Sequence, residues 1–306
     1  MNKIYDLIII GSGPAGLSAA IYAQRAKLST IIIEANYISG GQIVDTYEVD
    51  NYPGLPGISG MDLSTTLREH AEKMGSEFVT DEVRSLLLEG KVKTVVTKNT
   101  KYQAKTVLLA TGAKHRKLGV LGEEKFTGSG VSYCATCDGA FFKDKTVAVV
   151  GGGDVAVEDA IFLARICEKV YLIHRRDELR AAKILQDNLF AQKNIEIIWD
   201  SVVNRIDGDF QVKSILVENV KTKEIHDLKV SGCFIAVGIV PNSDLVKDQL
   251  KLDQGGYIEA EEDGVTSIPG VFAAGDVRTK LLRQIITAAS DGANCITSLQ
   301  NYLLRE

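Results

Sequence analysis

The chain alternates between short apolar runs and longer segments with helical periodicity, and this order occurs twice. Residues 4–10 form an apolar run, which is followed by a glycine-rich turn, a helical segment at 17–26 and a second apolar run at 30–33. The same order recurs at 146–150, 155–166 and 169–173. Such continuous apolar runs are typical of strands buried on both faces of a parallel sheet. The pattern predicts the α/β class, with two Rossmann-like, three-layer dinucleotide-binding domains.

The segments between and after these repeats predict how the two domains are connected. Helical periodicity spans 61–74, and strand-like segments lie at 78–88, 92–97, 100–109, 195–200, 206–217 and 226–230. Similar strand-to-turn segments at 107–112 and 233–238 each close one half, so we expect the chain to cross between domains near 113–117 and 240–244. The second domain, 116–242, is then inserted into a discontinuous first domain, 1–115 and 243–306.

Composition and charge narrow the function classes. The formal net charge of -5 and the lack of a basic run argue against a nucleic-acid partner. No apolar run approaches the roughly 20 residues of a membrane span, and the N-terminus enters a strand at once, so we expect a cytoplasmic protein without a secretory signal. Of five cysteines, Cys167, Cys233 and Cys295 stand alone and are interpreted as buried packing residues.

The first glycine-rich turn carries a complete dinucleotide fingerprint between a strand and a helix. Gly11 is expected to make the tight turn, Gly13 to let a pyrophosphate approach, and Gly16 to let the helix pack on the strand. Glu34 ends the next strand, where it would hold a ribose hydroxyl, so this turn suits FAD. The full motif is Gly11, Ser12, Gly13, Pro14, Ala15 and Gly16.

The second glycine-rich turn repeats the first at an offset of 140 residues, but with the opposite charge. Gly151 and Gly153 fall on Gly11 and Gly13, with Asp154 directly after them, whereas Glu34 plus 140 falls on His174. Three cations follow in place of the acid, namely Arg175, Arg176 and Arg180. Arginine forks bind the extra phosphate of NADP by charge-assisted hydrogen bonds, so the second turn favours NADPH over NADH.

Two cysteines two residues apart lie between the glycine turns. Cys134 and Cys137 can close a small disulfide, and Asp138 beside them can move a proton. Half of a zinc site is the alternative, but no second Cys pair exists and the four histidines are scattered, so we expect no metal. A flavin-dependent disulfide-forming oxidase and a non-enzymatic redox sensor are two further alternatives.

The C-terminal part returns to the first domain. A strand at 270–275 runs into Asp276 at its carboxyl end, which is the ligand edge of an open parallel sheet. Asp276 could instead cap a helix, a role compatible with facing a ligand. Arg283, Gln284 and Ile285 then begin the last helix, which we expect to reach about residue 304.

Taken in order, these motifs resemble the bacterial low-molecular-weight thioredoxin reductases, which are FAD- and NADPH-dependent. The resemblance extends from Gly11 to about Tyr302. Beyond the motifs already given, it rests on Gly40-Gly41-Gln42, Ala110-Thr111-Gly112, Cys134-Ala135-Thr136-Cys137-Asp138-Gly139, Gly151-Gly152-Gly153-Asp154 and Ala273-Ala274-Gly275-Asp276.

The resemblance implies a role for each matching position. Cys137 would lie against the flavin, Cys134 would exchange with the disulfide of thioredoxin or a similar small protein, and Asp138 would be the acid/base group. Contacts with FAD are implied for Gln42, Asn51, Asp276 and Gln284. Arg175, Arg176 and Arg180 would hold the NADPH phosphate. The resemblance also implies a homodimer. Because the thiols and the NADPH site share the inserted domain, both must reach one flavin and a protein partner must reach the thiols, we predict that this domain rotates about the crossings.

Overall fold

The computed structural model describes residues 3–46, 49 and 51–305, with the side chains of Asp45 and Cys137 outside the described set. The chain divides into two compact units, one formed by the described residues of Met1–Lys114 and Val240–Glu306, the other by His115–Ile239. The helices are α1 (Pro14–Arg25), α2 (Gly60–Lys73), α3 (Glu123–Phe126), α4 (Ala135–Asp138), α5 (Asp154–Ala164), α6 (Lys183–Phe190) and α7 (Ile285–Leu303).

The strands are β1 (Ile4–Ile10), β2 (Thr30–Glu34), β3 (Glu77–Thr80), β4 (Val83–Leu87), β5 (Lys93–Thr97), β6 (Lys101–Leu109), β7 (Ala113–His115), β8 (Val131–Ser132), β9 (Thr146–Gly151), β10 (Lys169–Ile173), β11 (Ile195–Ile198), β12 (Ser201–Gly208), β13 (Val212–Asn219), β14 (Ile225–Lys229), β15 (Gly232–Ala236), β16 (Ile239–Pro241) and β17 (Val271–Ala273).

The first unit is built on one mixed sheet. Strands β3, β2, β1 and β6 lie side by side in parallel, and the end of β6 also pairs in parallel with β17. Strands β5 and β4 continue the sheet with antiparallel pairing. Because β17 is the last strand of the chain, the central sheet needs residues from both ends of the sequence.

Both faces of this sheet are covered, which explains the continuous apolar runs. Along β1, Leu7 and Ile9 point into a core formed with α1 and α7, whereas Ile8 and Ile10 point into a second core with β4, β5 and residues 246–260. Since neighbouring strand residues face opposite sides, a strand buried on both faces must be apolar at every position.

The second unit repeats this three-layer plan in one continuous segment. Its sheet has the order β11, β10, β9, β15 and β8, all parallel. Helices α5 and α6 cover one face, and the antiparallel sheet β12–β13–β14 packs on the other. The two Rossmann-like, three-layer domains expected from the sequence are therefore confirmed.

Two segments that the sequence predicted as single strands each contain two strands in the structure. Residues 78–88 contain β3 and β4, because Asp81 accepts hydrogen bonds from the Glu82 and Asn99 amides and thereby turns the chain. Residues 206–217 contain β12 and β13, which pair as an antiparallel hairpin around residues 209–211. The Gly-Asp pair at 208–209 is a turn signal inside an otherwise strand-like run.

The chain crosses between the units at β7 and β16, which pair with each other as a two-stranded sheet. No helix in the described ranges combines the length and apolar character needed to cross a membrane. Within residues 3–46, 49 and 51–305, no group of His, Cys, Asp and Glu is arranged to hold a metal ion.

Candidate functional site

In the first glycine turn, Gly11 and Gly16 are packed against backbone atoms, whereas Gly13 has space in front of it for a ligand. Gly11 has a φ of 101°, and a Cβ there would overlap the Ala110 carbonyl oxygen. A Cβ at Gly16 would overlap the Gly11 carbonyl oxygen, so α1 lies directly against the turn. At Gly13, by contrast, a Cβ would meet only the Gly40 carbonyl oxygen at 3.8 Å. Helix α1 then starts at Pro14 with no acidic residue in its first turn, which leaves its amide groups for an anion.

Glu34 ties the end of β2 to this turn. One carboxylate oxygen accepts hydrogen bonds from the Ser12 amide at 2.9 Å and the Ser12 hydroxyl at 2.8 Å. The other accepts from the Asn36 amide at 3.0 Å and its side chain at 3.2 Å. The acid expected at this strand end is therefore in place, and it orders the turn itself as well as the strand end.

The segment from Gly40 to Asp45 lies against the same turn. The Gly40 amide donates to the Ser12 carbonyl oxygen at 2.8 Å, and a short 3₁₀ helix follows at Gly41–Asp45. Gly40 and Gly41 have φ values of 122° and 61°, which the absence of a Cβ permits. Gln42, the second residue of this helix, is half-buried.

Asn51 and Gln284 meet although 233 residues separate them. The Asn51 side-chain amide donates to the Gln284 side-chain oxygen at 2.9 Å. Gln284 is also the N-cap of α7, in a capping box with Thr287. The N-cap of the short 3₁₀ helix at Gly275–Val277 is Ala274, so Asp276 caps neither helix and that alternative is wrong.

Asp276 and Arg283 each bury a polar atom that lacks a hydrogen-bond partner in the described part of the chain. These atoms are Oδ1 of Asp276 and Nε of Arg283. Burial raises the pKa of Asp276, while the charges of Lys280 and Arg283 oppose that rise. The Arg283 guanidinium stacks on the Tyr257 ring, 3.9 Å from its centroid. Buried polar atoms normally have partners, so both atoms are suited to the polar groups of a ligand.

Thr111 is held by a residue that the sequence analysis did not include among the site residues. Its hydroxyl donates to the Asn242 carbonyl oxygen at 2.7 Å, and the Asn242 side chain donates to the Thr111 carbonyl oxygen at 2.9 Å. The Asn242 amide also donates to the Gly112 carbonyl oxygen at 3.0 Å. Asn242 thus fixes the turn at 110–112. The recurrence of strand-to-turn segments before 113 and 239 is the only sequence signal for this pairing.

The second glycine turn resembles the first: its first glycine has a positive φ and no room for a Cβ, and its third residue has open space. Gly151 has a φ of 156°, and a Cβ there would overlap the Ala236 carbonyl oxygen. At Gly153 a Cβ would have no neighbour within 4 Å. The turn is closed by two hydrogen bonds from the segment after β10. The Arg180 amide donates to the Gly152 carbonyl oxygen at 2.8 Å, and the Ala182 amide to Asp154 Oδ1 at 2.7 Å.

His174 is buried against the second turn, whereas the arginines that follow it are exposed. It is 4% exposed, its ring would overlap a Cβ at Gly152, and its Nε2 lies 2.9 Å from the Glu178 carbonyl oxygen. Burial lowers the pKa of His174 below its usual value. The exposed arginines that follow, Arg175, Arg176 and Arg180, form no ion pair with an acidic residue in the described ranges. Their guanidinium groups are therefore available to an external anion.

Ser132, on the N-terminal side of the cysteine segment, holds the backbone of Cys134 by hydrogen bonds. Cys134 is disulfide-bonded, whereas the side chain of Cys137 lies outside the described residues. The Ser132 hydroxyl accepts from the Cys134 amide at 3.1 Å and donates to its carbonyl oxygen at 3.2 Å. Cys134 Sγ lies 3.4 Å from the Thr136 hydroxyl, and half-buried Asp138 ends α4.

A buried acid next to this segment was missed from the sequence. Glu123 is 1% exposed and accepts hydrogen bonds from the Leu118 amide, the Gly119 amide and the Tyr133 hydroxyl, at 2.9, 2.7 and 2.7 Å. Burial and this carboxylate raise the pKa of Tyr133. The Tyr133 ring also stacks on His115, with centroids 5.6 Å apart. The residue that precedes Cys134 is thus fixed on two sides.

The remaining cysteines are free and buried, as expected. Burial raises the pKa of Cys233 and of Cys295 to about 12, and that of Cys167 to about 11. Since the thiolate is the reactive form, these three are unsuited to exchange at neutral pH.

Comparisons with known proteins agree on one family. The family model described as pyridine nucleotide-disulphide oxidoreductase matches residues 5–292. The chain is 46% identical over 310 residues to a thioredoxin reductase of Peptoclostridium acidaminophilum, covering 99% of this chain and 98% of the relative. It is 48% identical over 307 residues to a thioredoxin reductase of Listeria innocua, covering 99% and 95%.

Solved structures give the same result. A thioredoxin reductase of Lactococcus lactis superposes with a TM-score of 0.87 at 42% identity, covering 99% of this chain and 100% of that one. A thioredoxin reductase of Streptococcus pyogenes is 50% identical over the full length of both chains, with a TM-score of 0.75.

Proposed function

Because the chain belongs to the pyridine nucleotide-disulphide oxidoreductase family, we propose that it is a thioredoxin-disulfide reductase that uses FAD and NADPH. The observation that carries this proposal is the disulfide-bonded Cys134, placed in the same unit as a glycine turn followed by three available arginines. A disulfide that shares a unit with an NADPH turn suits an enzyme that reduces another disulfide, whereas a sensor or an oxidase does not need that nucleotide.

The first unit is proposed to hold FAD. The open front of Gly13 and the amide groups of α1 suit the pyrophosphate, and Glu34 suits the adenosine ribose. The partnerless atoms of Asp276 and Arg283 suit the polar groups of the flavin half. The other proposed FAD-contacting residues are Gly11, Ser12, Pro14, Ala15, Gly16, Gly41, Gln42, Asn51, Ala110, Thr111, Gly112, Gly275, Gln284 and Ile285.

The second unit is proposed to hold NADPH. Gly151, Gly153 and Asp154 form the turn for the pyrophosphate, with Gly153 open to it. Arg175, Arg176 and Arg180 bind the phosphate that distinguishes NADPH from NADH. His174, which lies under Gly152, supports this turn from behind.

The chemistry of the protein's own residues is thiol–disulfide exchange. Bound FAD supplies the hydride chemistry that links NADPH to the Cys134–Cys137 disulfide. In the dithiol, the Cys134 thiolate attacks a sulfur of the partner's disulfide, which forms a mixed disulfide and releases one partner thiolate. The Cys137 thiolate then attacks Cys134 Sγ, which releases the second partner thiol and restores the Cys134–Cys137 bond. Asp138 moves the proton between these thiols and water.

The partner is proposed to be thioredoxin or a thioredoxin-like small dithiol protein. The full-length relatives carry the name thioredoxin reductase, which supports thioredoxin itself. A cytoplasmic homodimer is part of the same proposal, supported by the family resemblance and by three buried free cysteines, which suit a reducing compartment. Rotation of the inserted unit about the crossings stays a prediction.

Anaerobic titration of the yellow holoprotein tests the proposal. NADPH is expected to bleach the flavin absorbance within a turnover time, NADH to do so far more slowly, and oxidised thioredoxin to restore the colour. The Cys134→Ser variant is the matched control, because it keeps both nucleotide turns and loses the exchanging thiol. It should still bleach with NADPH but fail to reduce thioredoxin. Equal bleaching by NADH would contradict the role of the arginines, and no bleaching by either would contradict the NADPH assignment.

A further inference from the structure

A buried cluster of charges lies beneath the turn that carries Asp276. Its centre is Asp291 on α7, which is 4% exposed and accepts four hydrogen bonds. Arg278 donates Nε to Oδ2 at 2.8 Å and Nη2 to Oδ1 at 2.5 Å. Lys280 Nζ and the Gly275 amide each donate to Oδ2 at 2.8 Å. The side chains of Arg278 and Lys280 are only 5% and 6% exposed, so water cannot replace these partners.

We propose that Asp291 is a positioning residue for FAD, which keeps Oδ1 of Asp276 free to accept a hydrogen bond from a hydroxyl group of the cofactor. This inference rests on the proposed function, in which Asp276 contacts FAD. Asp291 itself accepts all of its described hydrogen bonds from the protein and acts only through its neighbours.

The charges explain why Asp276 needs this help. A buried cation is stable only when it is paired and hydrogen-bonded. Lys280 is close enough to Asp276 for its charge to oppose the rise in the pKa that burial causes, and it would be a ready partner for that carboxylate. Asp291 binds both Lys280 and Arg278, and Asp276 Oδ1 is left without a partner among the described residues. The carboxylate of Asp291 therefore prevents an internal ion pair that would compete with the ligand.

The backbone adds a second link between Asp291 and the ligand edge. Gly275 has a φ of 77°, and a Cβ there would lie 3.0 Å from that of Ala15. The hydrogen bond from its amide to Asp291 holds this left-handed turn in place. Gly292, the next residue of α7, packs so closely on α1 that a Cβ would overlap the Ala15 carbonyl oxygen. The start of α1 and the turn before Asp276 are thus fixed to one point of α7.

A double-mutant cycle on the full-length holoprotein tests this inference. FAD dissociation is measured by diluting Asp291→Asn, Asp276→Asn, the double variant and the wild type, and following the fluorescence of released flavin. We expect Asp291→Asn to raise the FAD dissociation constant roughly 10- to 100-fold, the loss typical of a hydrogen bond to a charged group. In the Asp276→Asn background the same substitution should add less than about threefold, because residues that act through each other are not additive.

Asp6→Asn is the matched control for a general loss of stability. Asp6 lies in the same unit at the opposite edge of the sheet, where it bonds Lys105 at 2.8 Å and the Ser29 amide at 3.0 Å. This variant should lower the thermal midpoint and leave FAD affinity unchanged. If Asp291→Asn does not fold, Lys280→Met/Asp291→Asn removes a cation together with the carboxylate and enters the same cycle.

The outcomes separate the inference from its premise. Asp291→Asn with wild-type FAD affinity, or with an equal loss in both backgrounds, would overturn the positioning role while leaving Asp276 at the cofactor. An unchanged affinity in Asp276→Asn would instead remove the assignment of Asp276 to FAD, and the inference with it. A large loss that disappears in the double variant supports both.

Discussion

The two glycine turns share a backbone and differ at the strand end that faces each of them. In both, the first glycine has a positive φ and leaves no room for a Cβ beside an alanine carbonyl oxygen, Ala110 in one and Ala236 in the other. In both, the third residue of the turn has open space in front of it. At the strand end, however, the first turn has Glu34 and the second has His174.

Both strand-end residues contact their own turn, and each does so with different chemistry. Glu34 accepts two hydrogen bonds from Ser12, whereas His174 packs its neutral, buried ring against Gly152. In the proposed function, the acid at one turn suits FAD and the arginines after the other suit NADPH, so one fold would serve two related nucleotides. The difference suggests a division of roles that the proposed function makes testable: the shared backbone would hold the pyrophosphate, and the strand end would distinguish the two nucleotides.

The largest effect is expected from removing the positive charges of the three arginines that distinguish the second turn from the first. Arg175→Gln, Arg176→Gln and Arg180→Gln together should raise the KM for NADPH roughly 100-fold or more, since several hydrogen bonds to a charged phosphate are lost. The KM for NADH should stay within about twofold, because NADH has no such phosphate. Steady-state kinetics with both nucleotides measure this. A parallel rise in both KM values would mean that the arginines support the fold and not the phosphate.

A smaller effect should separate the two kinds of glycine within each turn. Gly13→Ala and Gly153→Ala place a methyl group in open space at φ values of -72° and -95°, which alanine adopts freely. We expect normal folding, with FAD affinity lowered about tenfold in the first variant and the KM for NADPH raised about tenfold in the second.

Gly11→Ala and Gly151→Ala are the matched controls, because their methyl groups would overlap a carbonyl oxygen. They should lower the thermal unfolding midpoint whether or not nucleotide is present. If all four variants unfold alike, the division between glycines for the fold and glycines for the ligand is wrong.

The smallest effect concerns pH, and it comes from His174 in the second unit. Burial places the pKa of His174 below 6.5, so the unfolded chain binds a proton more readily than the folded chain in mild acid. The contribution of His174 to stability should therefore be lost as the pH drops below about 6.5. Trp199, the only tryptophan, lies 6.3 Å from His174 between ring centroids and reports unfolding by fluorescence. His174→Gln should flatten this pH dependence, and an unchanged slope in that variant would assign it to other groups.

Much of the fold could be predicted because its signals are local. A strand buried on both faces must be apolar throughout, and a turn residue with a positive φ and no room for a side chain must be glycine. The roles of Ile8 and Gly11 can therefore be predicted from each residue and its immediate neighbours. The two strands taken as one at 78–88 and at 206–217 show the limit of that approach. Asp81 and the Gly-Asp pair at 208–209 are weak turn signals, and strand-like neighbours masked them.

The sequence predicted which residues belong to the site, but it did not predict the hydrogen bonds between them. The family resemblance placed Asn51 and Gln284 in the cofactor set, yet nothing in the sequence says that their side chains form a hydrogen bond across 233 residues. Glu123 and Asp291 were missed altogether, because the partners of each carboxylate come from outside its own helix. Such partnerships depend on tertiary packing, which one sequence does not display.

The position of β17 has a consequence for the order in which the protein is made. β17 pairs with β6 inside the first sheet, and α7 packs across α1, although these elements lie at opposite ends of the chain. Domains generally fold as units while they leave the ribosome. The second unit is continuous from 115 to 239, so it can be complete while the first still waits for its last strand and helix. In a nascent chain, the second glycine turn would thus lie in a completely folded unit before β17 has been added to the sheet that carries the first glycine turn.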